Sequence, residues 1–153
     1  MKKSLLRGLG IGLIVLGVPA LLCTITLWIP QIFTNAKLNA LANQLFDYPL
    51  PEQTRLVSRD KYVGLTGNSN HCDYFVAQTM ETALPLAEIK RYYADVIFLP
   101  PGGRNDGLAS PYQTDPITPD IFANGETTID GRQQVSIFLA SLGHSPGLDI
   151  RCH

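Results

Sequence analysis

The sequence predicts an α+β domain carried on one N-terminal transmembrane helix, and three observations predict it. Gly8 to Ile29 are 22 consecutive residues without a charge, and about 20 helical residues cross a hydrocarbon core ~30 Å thick. Cys72 to Thr82 alternates with the period of a strand, whereas the stretch after Pro85 repeats apolar residues at helical spacing. Asp130-Gly131, flanked by two strand-forming runs, is the strongest short hairpin signal in the chain.

Length and charge bound the function. The chain has 153 residues, 45% hydrophobic and only 16% charged, against about 25% charged in a soluble domain. This length holds one ordinary domain plus an appendage, which excludes multi-domain enzymes. A net charge of -1 gives no field to attract nucleic acid, which needs a basic face.

Residues 1–7 are expected in the cytoplasm and residues 8–29 in the lipid bilayer. Lys2, Lys3 and Arg7 precede the span, and only Lys37 follows closely, so the positive-inside rule places the C-terminal domain outside a single-pass cell membrane protein. Trp28 falls at the level of an interfacial aromatic belt, and lipid-buried helices tolerate a proline such as Pro19. A cleaved signal peptide ending near Thr34-Asn35-Ala36 is the rival, but its apolar core would be 7–15 residues. Cys23 lacks the small preceding residue of a lipidation signal, since Leu22 stands there, and reads as apolar filler in the span.

Residues 30–53 are expected to form a juxtamembrane helix and linker. Leu38, Leu41, Ala42 and Leu45 lie at helical spacing with Thr34 or Asn35 as N-cap, and Tyr48-Pro49-Leu50-Pro51 ends the helix. Outside the first seven residues the chain holds 9 Lys+Arg against 13 Asp+Glu, a mildly acidic balance.

Residues 54–153 form the predicted folded domain. Thr54 to Leu65 reads as a bulged strand or two short ones, and Gly67-Asn68-Ser69-Asn70 as a turn. In Cys72 to Thr82, residues Cys72, Tyr74, Val76, Gln78 and Met80 point one way. Pro85 suits a first helical turn, and Leu86, Ile89, Tyr93 and Val96 then form one face that docks on a sheet. Between Pro100 and Pro119 there are five prolines and three glycines, which makes residues 100–119 a Pro-rich loop. Glu126 to Ile129 and Arg132 to Leu142 flank the hairpin turn, and Leu148 to Cys152 reads as a last short strand. The expected order is β-β-α-β-β-β, one main helix packed on an antiparallel sheet.

The run Gly67 to Tyr74, followed by Leu84-Pro85-Leu86-Ala87-Glu88-Ile89, Tyr92-Tyr93 and a terminal Asp149-Ile150-Arg151-Cys152, resembles small bacterial single-span membrane-anchored proteins. The resemblance covers residues 48–153. It implies a location and a domain shape, and it transfers no active site.

Cys72 and Cys152 are expected to form a disulfide, because the compartment outside the membrane is oxidising. His71-Cys72 and Cys152-His153 also supply a Cys2His2 set of the kind zinc accepts, but neighbours in a strand point to opposite faces and could hardly share one ion. His71, His144 and His153 all border turns or the terminus. Asp73 lies near His71 and Ser145 beside His144, yet no Gly-x-Ser-x-Gly elbow occurs. Gly64-Leu65-Thr66-Gly67 lacks the lysine of a phosphate loop, and the acids Asp106, Asp115, Asp120, Glu126 and Asp130 fit no calcium-loop spacing. No metal site, cofactor or catalytic residue is expected.

The most accessible stretch is the Pro-rich loop, where Arg104, Asn105, Asp106, Tyr112 and Gln113 are candidate partner-contact groups. The expected function is a non-catalytic binding or structural module of the cell envelope, with an envelope protein as partner. The alternative is a small envelope hydrolase or metal-binding protein using His71 and His144.

Overall fold

The computed structural model describes residues 2–67, 70–101, 116–127 and 131–153, with side chains from residue 16 onward except 125–127. Helix α1 spans Lys2–Phe46, strand β1 Thr54–Gly64, strand β2 Cys72–Thr82 and helix α2 Leu86–Tyr93. Strand β3 spans Asp120–Thr127 and strand β4 Gln133–His144, and a 3₁₀ turn covers Ile150–Cys152. The class is α+β, one long apolar helix followed by a small antiparallel sheet with a short helix.

Helix α1 corrects the expectation of a new helix start at Thr34 or Asn35, because its 45 residues run unbroken through Pro19 and Pro30. Thr34 is not an N-cap: its hydroxyl donates to the Pro30 carbonyl at 3.0 Å, one turn back. In an apolar surrounding every freed backbone group is costly, so continuing the helix past a proline is cheaper than breaking it. Side chains from Leu16 to Ile29 are exposed, Pro30 and Gln31 are partly covered, Trp28 is 65% and Phe33 66% exposed, and the first buried side chain is Thr34. This one helix is long and apolar enough to cross a membrane.

The sheet has the order β1-β2-β4-β3, antiparallel throughout. On its inner face Val63, Tyr74, Val76, Met80, Val135, Ile137 and Leu139 are buried against Leu38, Leu41, Ala42 and Leu45 of α1 and Ile89 and Tyr93 of α2. The period read in β2 therefore holds, with Cys72, Tyr74, Val76, Gln78 and Met80 all buried. Strand β1 is one strand with a bulge between Leu56 and Ser58. Beyond the bulge, Arg59 and Lys61 stay exposed but reach α1, where Lys61 Nζ donates to Asn39 Oδ1 at 2.5 Å and the Arg59 guanidinium donates to the Phe46 carbonyl. A cation thus satisfies the C-terminus of α1, where orphan carbonyls and the helix dipole favour one.

Two further expectations change. Strand β3 begins at Asp120, directly after the Pro-rich loop, and is longer than the Glu126–Ile129 arm foreseen. The last segment is a 3₁₀ turn and not a strand, since the Asp149 side chain accepts from the Arg151 N–H and caps it. Both sides of β2 and β4 are already paired, so this segment finds no inner ladder to join. It bonds instead through the Arg151 carbonyl, which accepts from the Leu65 N–H at 3.0 Å. The described chain on either side of residues 102–115 is joined where the Ile117 N–H donates to the Phe98 carbonyl at 2.8 Å. Arg104, Asn105, Asp106, Tyr112 and Gln113 lie outside the described residues.

Candidate functional site

The chemistry-bearing side chains gather at one end of the sheet, where β1 finishes, β2 begins and β4 finishes. Cys72 and Cys152 are joined there in a disulfide, with their alpha carbons 4.8 Å apart. The two histidines that could have joined them in a metal site are engaged elsewhere. His71 Nε2 lies 2.9 Å from Asp73 Oδ2, and the His153 ring nitrogens face Asn70 Oδ1 at 2.6 Å and the Gly147 carbonyl at 3.1 Å. Among the described residues no three His, Cys, Asp or Glu side chains converge as metal ligands.

Asp73 is fully buried and works as a knot between turns. Its Oδ2 accepts from the Thr66 N–H at 3.0 Å and from the Thr66 hydroxyl, and its Oδ1 accepts from the Gly143 N–H at 2.9 Å. Burial acts to raise its pKa, but the Thr66 hydroxyl, the Gly143 and Thr66 amides and His71 outweigh it, so the carboxyl sits below its ordinary value. The charge is held for structure.

His144 is not the solvent-facing turn residue that its position suggests. It is 6% exposed, closes β4, and stands with its ring edge-on to Tyr74 at 4.9 Å. Its Nε2 is 2.7 Å from Ser141 Oγ, so its partner is Ser141 three residues back and not the adjacent Ser145. A serine hydrogen-bonded to a histidine is the beginning of a nucleophile pair. Ser141, however, is also only 6% exposed, and a substrate carbonyl has to reach the hydroxyl. His71 and His144 each serve a different contact, to Asp73 and to Ser141.

Asp149 and Arg151 form the third polar group. The fully buried Asp149 takes Arg151 Nε on Oδ1 at 3.0 Å and Nη2 on Oδ2 at 2.6 Å. The Arg151 guanidinium, helped by its main-chain N–H and the Thr34 hydroxyl, holds the Asp149 carboxyl below its ordinary value against the opposing effect of burial. Arg151 Nη1 then donates to Asn35 Oδ1 of α1 at 2.8 Å. Sequence reading missed this group, although an Asp two residues before an Arg at a chain turn was a visible capping signal.

Among the described residues, no helix lies on the outer face of the sheet. Tyr62, Phe75 and Phe138 stack across β1, β2 and β4 with ring centroids 6.3 and 5.6 Å apart. Phe122 on β3 and Leu142 at the end of β4 are 50% and 53% exposed. Two shallow crevices lie elsewhere. One, of about 580 Å³, is lined by Pro51, Gln53, Leu84, Glu88, Arg91 and Tyr92. The other, of about 300 Å³, lies beside Lys90, Tyr93 and Ile121, and neither is lined by a histidine.

Compared with protein-family models, curated proteins and solved structures, the chain matches none.

Proposed function

We propose that this chain is a single-span protein of the cell envelope, its N-terminus cytoplasmic and its folded domain outside, and that the domain acts by contact and not by catalysis. The observation that carries the reading is the unbroken α1, which leaves its apolar segment and enters the domain core directly through Leu38, Leu41, Ala42 and Leu45. A domain welded to its anchor is held at a fixed height and orientation, which suits bracing or presentation. The three cations ahead of the span support the orientation, and the disulfide suits an oxidising compartment.

The groups able to do chemistry are occupied as structural bonds, Asp73 by two turns, His144 by Ser141 and Asp149 by Arg151. The hydrolase alternative has the Ser141 to His144 bond in its favour and the burial of both against it. The contact groups proposed for an envelope partner remain Arg104, Asn105, Asp106, Tyr112 and Gln113 of the Pro-rich loop.

Two experiments test this. Protease added to intact, wall-stripped cells should cut the domain; protection until lysis would reverse the orientation, and a mature chain starting near Lys37 would show cleavage. Replacing residues 102–115 with a short Gly-Ser linker should abolish cross-linking to envelope proteins and leave the fold intact. His71→Ala and His144→Ala should leave that cross-linking unchanged. An unaltered cross-linking profile after loop replacement would remove the loop from the proposal.

A further inference from the structure

The turn end of the domain is also the end nearest the apolar part of α1, and three observations say what it meets there. The first is position. Arg151 reaches Asn35, which lies two residues beyond the exposed Phe33 and close to the end of the charge-free run from Gly8 to Ala36. That run, as helix, is about 43 Å long at 1.5 Å per residue, which matches the roughly 40–45 Å of a bilayer with its headgroups. Asn35, and with it Arg151, therefore stands at headgroup level.

The second is apolar exposure at that level. Leu148 is 68% exposed, Ile150 57% and Leu142 53%, beside Ile32 at 63% and Phe33 at 66% on α1. The third is charge. In residues 65–73 and 140–153 the only acidic side chains are Asp73 and Asp149, both fully buried and hydrogen-bonded. Asp149 is paired with Arg151 and Asp73 with His71 and the turn amides, so the tip offers an anionic lipid surface no exposed acidic side chain to repel it.

We propose that this tip is a second membrane contact, with Leu142, Leu148 and Ile150 seated at the headgroup and acyl boundary of the leaflet from which α1 emerges. The proposal rests on α1 being the membrane anchor. Apolar side chains at an interface bind by the area they remove from water. The Asp149–Arg151–Asn35 bonds and the disulfide hold the tip at this height, so lateral tilting of the domain is restricted.

The test uses the full chain, whose only tryptophan is Trp28, reconstituted in phosphatidylethanolamine/phosphatidylglycerol vesicles with lipids brominated near the headgroup end of the acyl chains. Trp28 reports the anchor itself. In a Trp28→Phe background, Leu148→Trp or Ile150→Trp reports the tip, and Val57→Trp reports the far side of the domain. The tip variants should be quenched by brominated lipid to a degree comparable with Trp28, and about twofold less than the Val57→Trp variant by aqueous acrylamide, as for side chains at an interface. If Trp28 is quenched and the tip variants respond only to acrylamide, the tip faces water and the proposal fails. If the tip variants respond to neither, a second copy of the chain covers them and the proposal also fails. If Trp28 itself escapes the lipid quencher, the anchor reading fails and takes this one with it.

Discussion

Arg151 donates to Asn35 at 2.8 Å across 116 residues of sequence, and so ties the last turn of the domain to the helix that carries it. The same guanidinium neutralises Asp149, which is fully buried. These two duties differ in weight. Asn35→Ala removes one partly solvated hydrogen bond and should cost about 1 kcal/mol or less. Arg151→Ala strands a buried carboxylate and should cost about 3–5 kcal/mol. Denaturant unfolding of the full chain in detergent micelles checks the order, and equal losses would show that Asp149 finds another cation.

The disulfide closes a span of 80 residues. A loop of that length constrains the unfolded chain by about 4–5 kcal/mol in the entropy model, a large part of a small domain's stability. Alkylation under denaturing, non-reducing conditions should label Cys23 and neither Cys72 nor Cys152. Reduction should then lower the unfolding midpoint by an amount that the Cys72→Ser, Cys152→Ser double variant reproduces.

Acid should undo the turn end before the rest. The carboxyls of Asp73 and Asp149 both titrate lower in the folded chain than their ordinary value of about 3.9. The unfolded chain therefore binds protons first as pH falls. The stability these groups contribute is complete above about pH 5 and is lost as pH falls through their folded values. Asp73→Asn should be less stable at pH 7 and show a flatter acid limb below pH 5. An acid limb as steep as that of the unaltered chain would assign the effect to other carboxylates.

Local periodicity made much of this fold legible. The apolar face of residues 38–45 and the alternation of β2 depend on neighbours in sequence, and both are found where expected; β3 and β4 pair antiparallel, while Asp130 of the expected turn lies outside the described residues. What stayed hidden depends on distant partners. Nothing in Thr54–Gly64 announces that a bulge will turn Arg59 onto the Phe46 carbonyl. Nothing around His144 announces its burial beside Tyr74. Thr34 and Asn35 looked like a helix start because their capping preference is visible, whereas the cost of leaving backbone groups unpaired in an apolar surrounding is not.

Tyr92 and Tyr93 could not both face the sheet, and the structure gives them opposite fates. Tyr92 is 38% exposed and its hydroxyl donates to the Pro49 carbonyl at 3.1 Å. Tyr93 is fully buried, its ring packed 5.0 Å from Tyr92 and 5.5 Å from Tyr48, and its hydroxyl has no hydrogen-bond partner among the described residues. Burial, together with the neighbouring Tyr92 and Tyr48, pushes its pKa well up, so the hydroxyl keeps its proton. A buried, unpaired polar group costs about 1–3 kcal/mol, whereas the ring packing does not depend on the oxygen. Tyr93→Phe should therefore raise stability by about 1 kcal/mol. Tyr92→Phe, which loses a bond that is made, should lower it by about 0.5–1 kcal/mol. Unfolding midpoints of the two variants, measured side by side, should move in opposite directions; a loss in Tyr93→Phe would mean that a bound water or the 102–115 segment supplies the missing acceptor.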